Sequence, residues 1–89
     1  MLFRSRPVIR QGDPGSHGGT VISGSPDTTA NGIPVARVGD TYACPLHGNN
    51  PITTGSPDTT ANGQPVARVG DATACGATLT SGSPDVMVN

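Results

Sequence analysis

Gly24-Ser-Pro-Asp-Thr-Thr-Ala-Asn-Gly-Ile-Pro-Val-Ala-Arg-Val-Gly-Asp-Thr-Tyr-Ala-Cys44 returns almost unchanged as Gly55 to Cys75, a step of 31 residues (55 − 24). A more diverged copy opens the chain, where Pro7-Val8-Ile9-Arg10-Gln11-Gly12-Asp13 matches Pro34 to Asp40 and Pro65 to Asp71. Two markers follow the repeat: Gly-Asp at Gly12, Gly39 and Gly70, and Gly-Ser-Pro-Asp at Gly24, Gly55 and Gly82. Their register is kept throughout, apart from four extra residues in the middle copy between Cys44 and Ile52. A period near 30 residues signals a repeat architecture. Three copies allow a short open stack or a closed three-fold arrangement.

The local pattern is strand and turn. Asn31-Gly32 and Asn62-Gly63 lie between β-prone stretches, and both residue types tolerate the positive φ of a two-residue type I′ hairpin loop. After each turn Val35-Ala-Arg-Val and Val66-Ala-Arg-Val alternate, which puts Val35 and Arg37 on one side and Ala36 and Val38 on the other. The Pro before each run is expected to mark the strand start. Thr20-Val-Ile, Pro51-Ile-Thr and Thr78-Leu-Thr are short strand candidates leading into Gly-Ser-Pro turns. Val86-Met-Val begins a third such strand with no hairpin arm in its own copy. Pro7-Val-Ile-Arg supplies that arm if the chain ends pair to close a ring. The expected organisation is one domain over residues 1–89, with repeats at about 7–33, 34–64 and 65–89.

Four residues past each repeat Asp sits a candidate metal ligand: His17, Cys44 and Cys75. The insertion in the middle copy holds the other histidine, His47. All cysteines and histidines of the chain are thereby accounted for. Two sulfurs and two nitrogens are what a closed tetrahedral zinc site takes, so one structural zinc ion is the expected cofactor. Iron also accepts mixed Cys and His ligands, but a tetrahedral S₂N₂ set favours zinc. A Cys44–Cys75 disulfide is the main rival reading. A Cys44–His47 nucleophilic dyad would need a cleft and an oxyanion hole, which a short, repetitive chain poor in large residues does not promise.

Composition narrows the remaining choices. The 89 residues include one Phe, one Tyr and no Trp, so a sizeable core is not available. Chains of this size generally need a metal, a disulfide or an oligomer as a staple. The cations are all Arg and the anions all Asp, and the net charge of −1 gives no reason to bind nucleic acid or an anionic membrane. With 13 Gly and 9 Pro, and neither Lys nor Glu, helix is disfavoured. No apolar run is long enough to cross a membrane as a helix, and the first six residues carry no h-region of a secretory signal peptide. The Gly-rich stretch from Gly15 to Gly19 lacks the Gly-Lys-Ser/Thr ending of a phosphate loop and is better taken as turn chemistry. Arg10, Arg37 and Arg68 recur with Asp13, Asp40 and Asp71 three residues later. A ring of Arg–Asp pairs fixing unit against unit, or making contacts with a partner, is expected, with solvated surface charge as the bland alternative.

Pro34-Val-Ala-Arg and Pro65-Val-Ala-Arg, each inside Asn-Gly-x-Pro-Val-Ala-Arg-Val-Gly-Asp, resemble the PAAR-repeat family, named for its Pro-Ala-Ala-Arg motif. The resemblance runs from Pro7 to Val88 and includes His17-Gly-Gly, Cys44-x-x-His-Gly and Cys75-Gly. The second motif residue is Val in both clear copies, and the first copy is Pro-Val-Ile-Arg; neither change touches a candidate ligand. The resemblance implies an all-β, conical PAAR fold of short strands and hairpins with pseudo-three-fold symmetry and a zinc at its apex. It implies a structural tip protein, not an enzyme. One copy would cap the β-helical end of a trimeric spike, of the VgrG type in type VI secretion or of a contractile phage tail. Contact with a target membrane would come during injection. Some relatives carry toxin extensions; none is expected here. The protein would be cytoplasmic before firing and then leave through the contractile machine, or form part of a phage tail. Strand edges at the base could pair with the spike. The competing expectation is a small zinc-binding adaptor that recruits effector cargo.

Overall fold

The computed structural model describes residues 6–57, 59–83 and 86–88, and the architecture is all-β, with no helix among them. The strands are short: β1 (Arg6–Pro7), β2 (Thr20–Val21), β3 (Thr29–Ala30), β4 (Ile33–Pro34), β5 (Thr41–Cys44), β6 (Gly48–Pro51), β7 (Thr60–Ala61), β8 (Gln64–Pro65) and β9 (Met87–Val88).

Two Asn-Gly turns form hairpins β3–β4 and β7–β8. Asn31 and Gly32 have φ of 55° and 76°, and Asn62 and Gly63 have 54° and 79°, as a type I′ loop requires. The third hairpin is made by the chain ends. β1 pairs antiparallel with β9, matching Pro7 to Met87, in the register that matches Pro34 to Thr29 and Pro65 to Thr60. The expectation that the termini build the third unit together is met at this pairing.

Proline does something other than start a strand. It ends each hairpin arm, opposite Thr29, Thr60 or Met87. The next residue resumes the ladder: Val35, Val66 and Val8 donate their N–H to Thr28, Thr59 and Val86. Proline thus occupies a pair that exchanges no hydrogen bonds, where its missing N–H costs nothing. Its carbonyl points outward and accepts from the neighbouring unit. Gln11, Val38 and Val69 donate to Pro34, Pro65 and Pro7 at 2.8–2.9 Å.

A second set of bonds closes around the axis. Ile9 N–H donates to Ala67 O (3.0 Å), Ala67 N–H to Ala36 O (2.9 Å), and Ala36 N–H to Ile9 O (2.8 Å). The three residues hold the same step of the repeat and are fully buried. This circuit establishes a closed three-fold arrangement rather than an open stack.

Two apolar clusters make the core, and the three residues of the circuit belong to one of them. One gathers Val8, Val35 and Val66 with Ala30, Ala61 and the half-buried Val88. The other gathers Ile9, Ala36 and Ala67 with Val21, Ile52, Leu79, Tyr42, Cys44 and Ala77. The Val-Ala-Arg alternation therefore does not divide core from solvent. Val35 and Ala36 are both buried because the segment runs between two clusters.

The two glycine markers have different causes. Gly12, Gly39 and Gly70 sit at φ of 94–96°, where an L side chain is strained. Gly24, Gly55 and Gly82 are there for space: a Cβ would meet the carbonyl oxygens of Val35, Val66 and Val8 at 2.4–2.9 Å.

The Arg–Asp ring exists, in a modified form. Each pair lies within its own unit, where the Asp also accepts the backbone N–H of its Arg. Bidentate contacts join Arg10 to Asp13, Arg37 to Asp40 and Arg68 to Asp71 at 2.8–3.1 Å. The other guanidinium arm reaches the next unit's turn: Arg37 to Asn62 Oδ1 (3.0 Å) and Arg10 to Asn31 Oδ1 (3.4 Å).

Candidate metal centre

His17 and Cys75 are carried by two copies of one turn. Gly18 N–H donates to Gly15 O (3.1 Å), as Gly76 N–H donates to Thr73 O (3.0 Å). Gly15 N–H reaches Gly19 O, as Thr73 N–H reaches Ala77 O. Cys44, at the same repeat step, ends β5 instead, because the four-residue insertion turns this copy into the β5–β6 hairpin. Tyr42 and Cys44 are the buried positions along β5. Cys44 pairs with Gly48, and the connecting residues 45–47 place His47 in the loop.

These four residues converge. Their ligand atoms, one from each, all lie within 4.8 Å of one another. Cys44 Sγ is 3.5 Å from His17 Nδ1 and 3.5 Å from His47 Nδ1, and Cys75 Sγ is 3.6 Å from His17 Nδ1. A tetrahedral ion with metal–sulfur bonds of about 2.3 Å and metal–nitrogen bonds of about 2.0–2.1 Å needs sulfur–nitrogen edges of roughly 3.5 Å. The spacing fits such an ion, with Nδ1 as the inward-facing nitrogen of both rings. The imidazoles stand 5.3 Å apart, tilted by 45°. Both cysteines are free thiols, so the disulfide reading gains no support.

Exposure is graded across the set. Cys44 is buried, His17 and Cys75 are half-buried, and His47 is exposed. The Cys75 thiol is lowered from 9.0 to about 6, chiefly by the hydrogen bond with Thr73 Oγ1, against the raising effect of burial; Ala77, His17 and Cys44 add to the lowering. Thr73 Oγ1 lies 3.2 Å from that sulfur. Neighbouring contacts tie the ligand-bearing segments together. β2 pairs with β5, matching Thr20 to Ala43. Gly19 N–H donates to the hydroxyl of the fully buried Tyr42 (3.0 Å). Ser16 exchanges two bonds with Thr78, joining the His17 turn to the segment after Cys75.

All four sequence candidates therefore meet at one point. The sequence pattern did not single out Thr73, Tyr42 or Asn50. The first two stand where the copies disagree, at the step shared by Gly15, Tyr42 and Thr73, and that disagreement was the available clue.

The family model for the PAAR motif matches residues 11–81. No curated protein matches the chain.

Proposed function

This chain belongs to the PAAR-motif family, spike-tip-associated proteins of contractile injection systems, and from that premise we propose that it caps and sharpens a trimeric β-helical spike. One copy would sit on three spike chains, of the VgrG type or of a phage tail. The observation that carries this reading is the closed circuit of Ile9, Ala36 and Ala67. A single chain with three equivalent sides can meet a trimer without a symmetry mismatch, each side facing one spike chain.

In this reading one zinc ion, held by His17, Cys44, His47 and Cys75, staples the tip. Zinc suits the S₂N₂ donor set and the edge lengths given above. Its part is structural: it supplies cross-links to a chain whose apolar core is small. The protein works mechanically, without turnover, entering a target membrane when the machine fires. It is made in the cytoplasm and exported through the machine, or built into a phage tail. Effector cargo can travel with it non-covalently.

The test is co-expression with a trimeric β-helical spike, followed by mass measurement of the complex. One cap per three spike chains is the expected stoichiometry. Absence of a complex, or three caps per trimer, would overturn the capping reading. Metal analysis of the same sample should return about one zinc per cap.

A further inference from the structure

We infer that Asn50 is a positioning residue of the metal centre, fastening the hairpin that carries His47 to the turn that carries Cys75. The inference rests on the metal reading of the His17, Cys44, His47 and Cys75 cluster.

Asn50 lies on β6 directly opposite Tyr42. Cross-strand partners share a face, and Tyr42 faces the interior. Asn50 is accordingly the one half-buried residue in a strand that is otherwise exposed. A polar side chain on an inward face costs free energy unless its groups are paired. Both ends of this one are. Its Oδ1 accepts the backbone N–H of Cys75 at 3.1 Å, and its Nδ2 donates to the carbonyl of Gly48 at 2.9 Å. Gly48 follows His47 directly.

The amide therefore bridges two ligands whose segments share no strand ladder, only the single antiparallel bridge between Ile52 and Thr73. His17 and Cys44 are joined through β2–β5, and Cys44 and His47 through β5–β6. Between His47 and Cys75 the side chain of Asn50 adds the tie nearest the ligands, beside the backbone bonds from Ala74 to Pro51 and from Thr53 to Ala72. The chemistry is specific to a primary amide. Asp would keep the acceptor for Cys75 but offer no donor to Gly48, and it would place a negative charge near two thiolates. Leu would offer neither. His47 is the most exposed ligand and sits in a loop, so it depends most on such a tie. Residues that orient ligands from outside the coordination sphere typically govern metal affinity by about 10- to 100-fold.

The experiment loads the full chain with cobalt(II) and records its absorption spectrum and affinity. Wild type should show near-ultraviolet thiolate bands and the strong visible bands of a four-coordinate tetrahedral ion. Asn50→Leu should keep the thiolate bands, lose visible intensity as His47→Ala does, and bind cobalt about 10- to 100-fold more weakly. Asn50→Asp, nearly the same size, carries the test if Asn50→Leu does not fold; its affinity should fall as well. Wild-type spectrum and affinity in both variants would overturn the inference, whatever their melting temperatures. A wild-type chain that takes up no cobalt would instead overturn the metal reading itself, and this inference with it.

Discussion

Gly15 and Tyr42 occupy the same step of two repeats and share one space. A Cβ on Gly15 would lie 2.6 Å from Tyr42 Cε1 and 2.6 Å from its hydroxyl oxygen. The third residue at this step is Thr73. Equivalent positions around a three-fold axis converge, so they must divide a fixed volume. One large side chain is accommodated because another copy has none. Gly15→Ala should therefore destabilise the fold by about 1–3 kcal/mol through overpacking. In a Tyr42→Leu background the same change should cost less, giving a favourable coupling that a double-mutant cycle of thermal melts would measure.

Burial acts to raise the carboxyls of Asp40 and Asp71, but hydrogen bonds from Arg37 and Arg68 outweigh it and hold both below the ordinary 3.8. A carboxyl lowered in the folded state stabilises that state above the unfolded value and stops doing so as pH falls through the folded one. These two carboxyls should add nothing to the pH dependence of the melting temperature between neutrality and about pH 5, and a decline through 4 and below. Asp71→Asn should flatten part of that decline. Arg68 is the most buried of the three arginines, so Arg68→Ala should be the most damaging of the three Arg→Ala changes, because it removes the cation from Asp71 and leaves it only the position-68 backbone N–H and the Thr54 hydroxyl; Arg10→Ala should cost less.

Metal removal should reveal how little the apolar clusters achieve alone. Structural zinc contributes on the order of 10 kcal/mol of apparent folding free energy in small peptides. Chelation should lower the melting temperature sharply, and zinc should restore it. Cys44→Ser, in the buried cluster, should be more damaging than His47→Ala on the exposed loop. Calorimetry before and after chelation checks both orders.

Asn62 has two duties that substitution can separate. It holds a positive φ, and its amide meets Ser25, Asp27 and Arg37. Asn62→Gly keeps the turn and loses the contacts. Asn62→Ala loses both and should be less stable than the glycine variant by about 1 kcal/mol, the penalty of a left-handed conformation with a Cβ. Urea titration of the two variants measures the difference.

Repetition made the fold readable from sequence. Where copies agree, as at Asn31 and Asn62, or at His17, Cys44 and Cys75, each copy tests the reading of the others. The pairing of the termini could be inferred because Val86 to Val88 began a unit that Pro7 could finish. Legibility ended where a residue has no counterpart. Asn50 belongs to the insertion, so nothing in the chain marks its amide as different from that of Asn49 beside it. The role of Pro34 was missed for another reason. Its local preference suggests a strand start, while the type I′ register decides that it falls on a pair needing no donor. The two-sided burial of Val35 and Ala36 was hidden as well, since alternation does not tell one covered face from two.

The circuit of Ile9, Ala67 and Ala36 also sets a limit on how this protein can evolve. Every donor in it is matched to an acceptor, and the last link returns to the first. Solenoids lengthen by duplicating a unit, because their end units keep an open face. Here a duplicated unit would find no vacancy around the axis and could enter only by breaking the loop. Growth is thereby confined to the turns and the termini, and the insertion that brings His47, in a turn of the middle repeat, is where the copies differ in length.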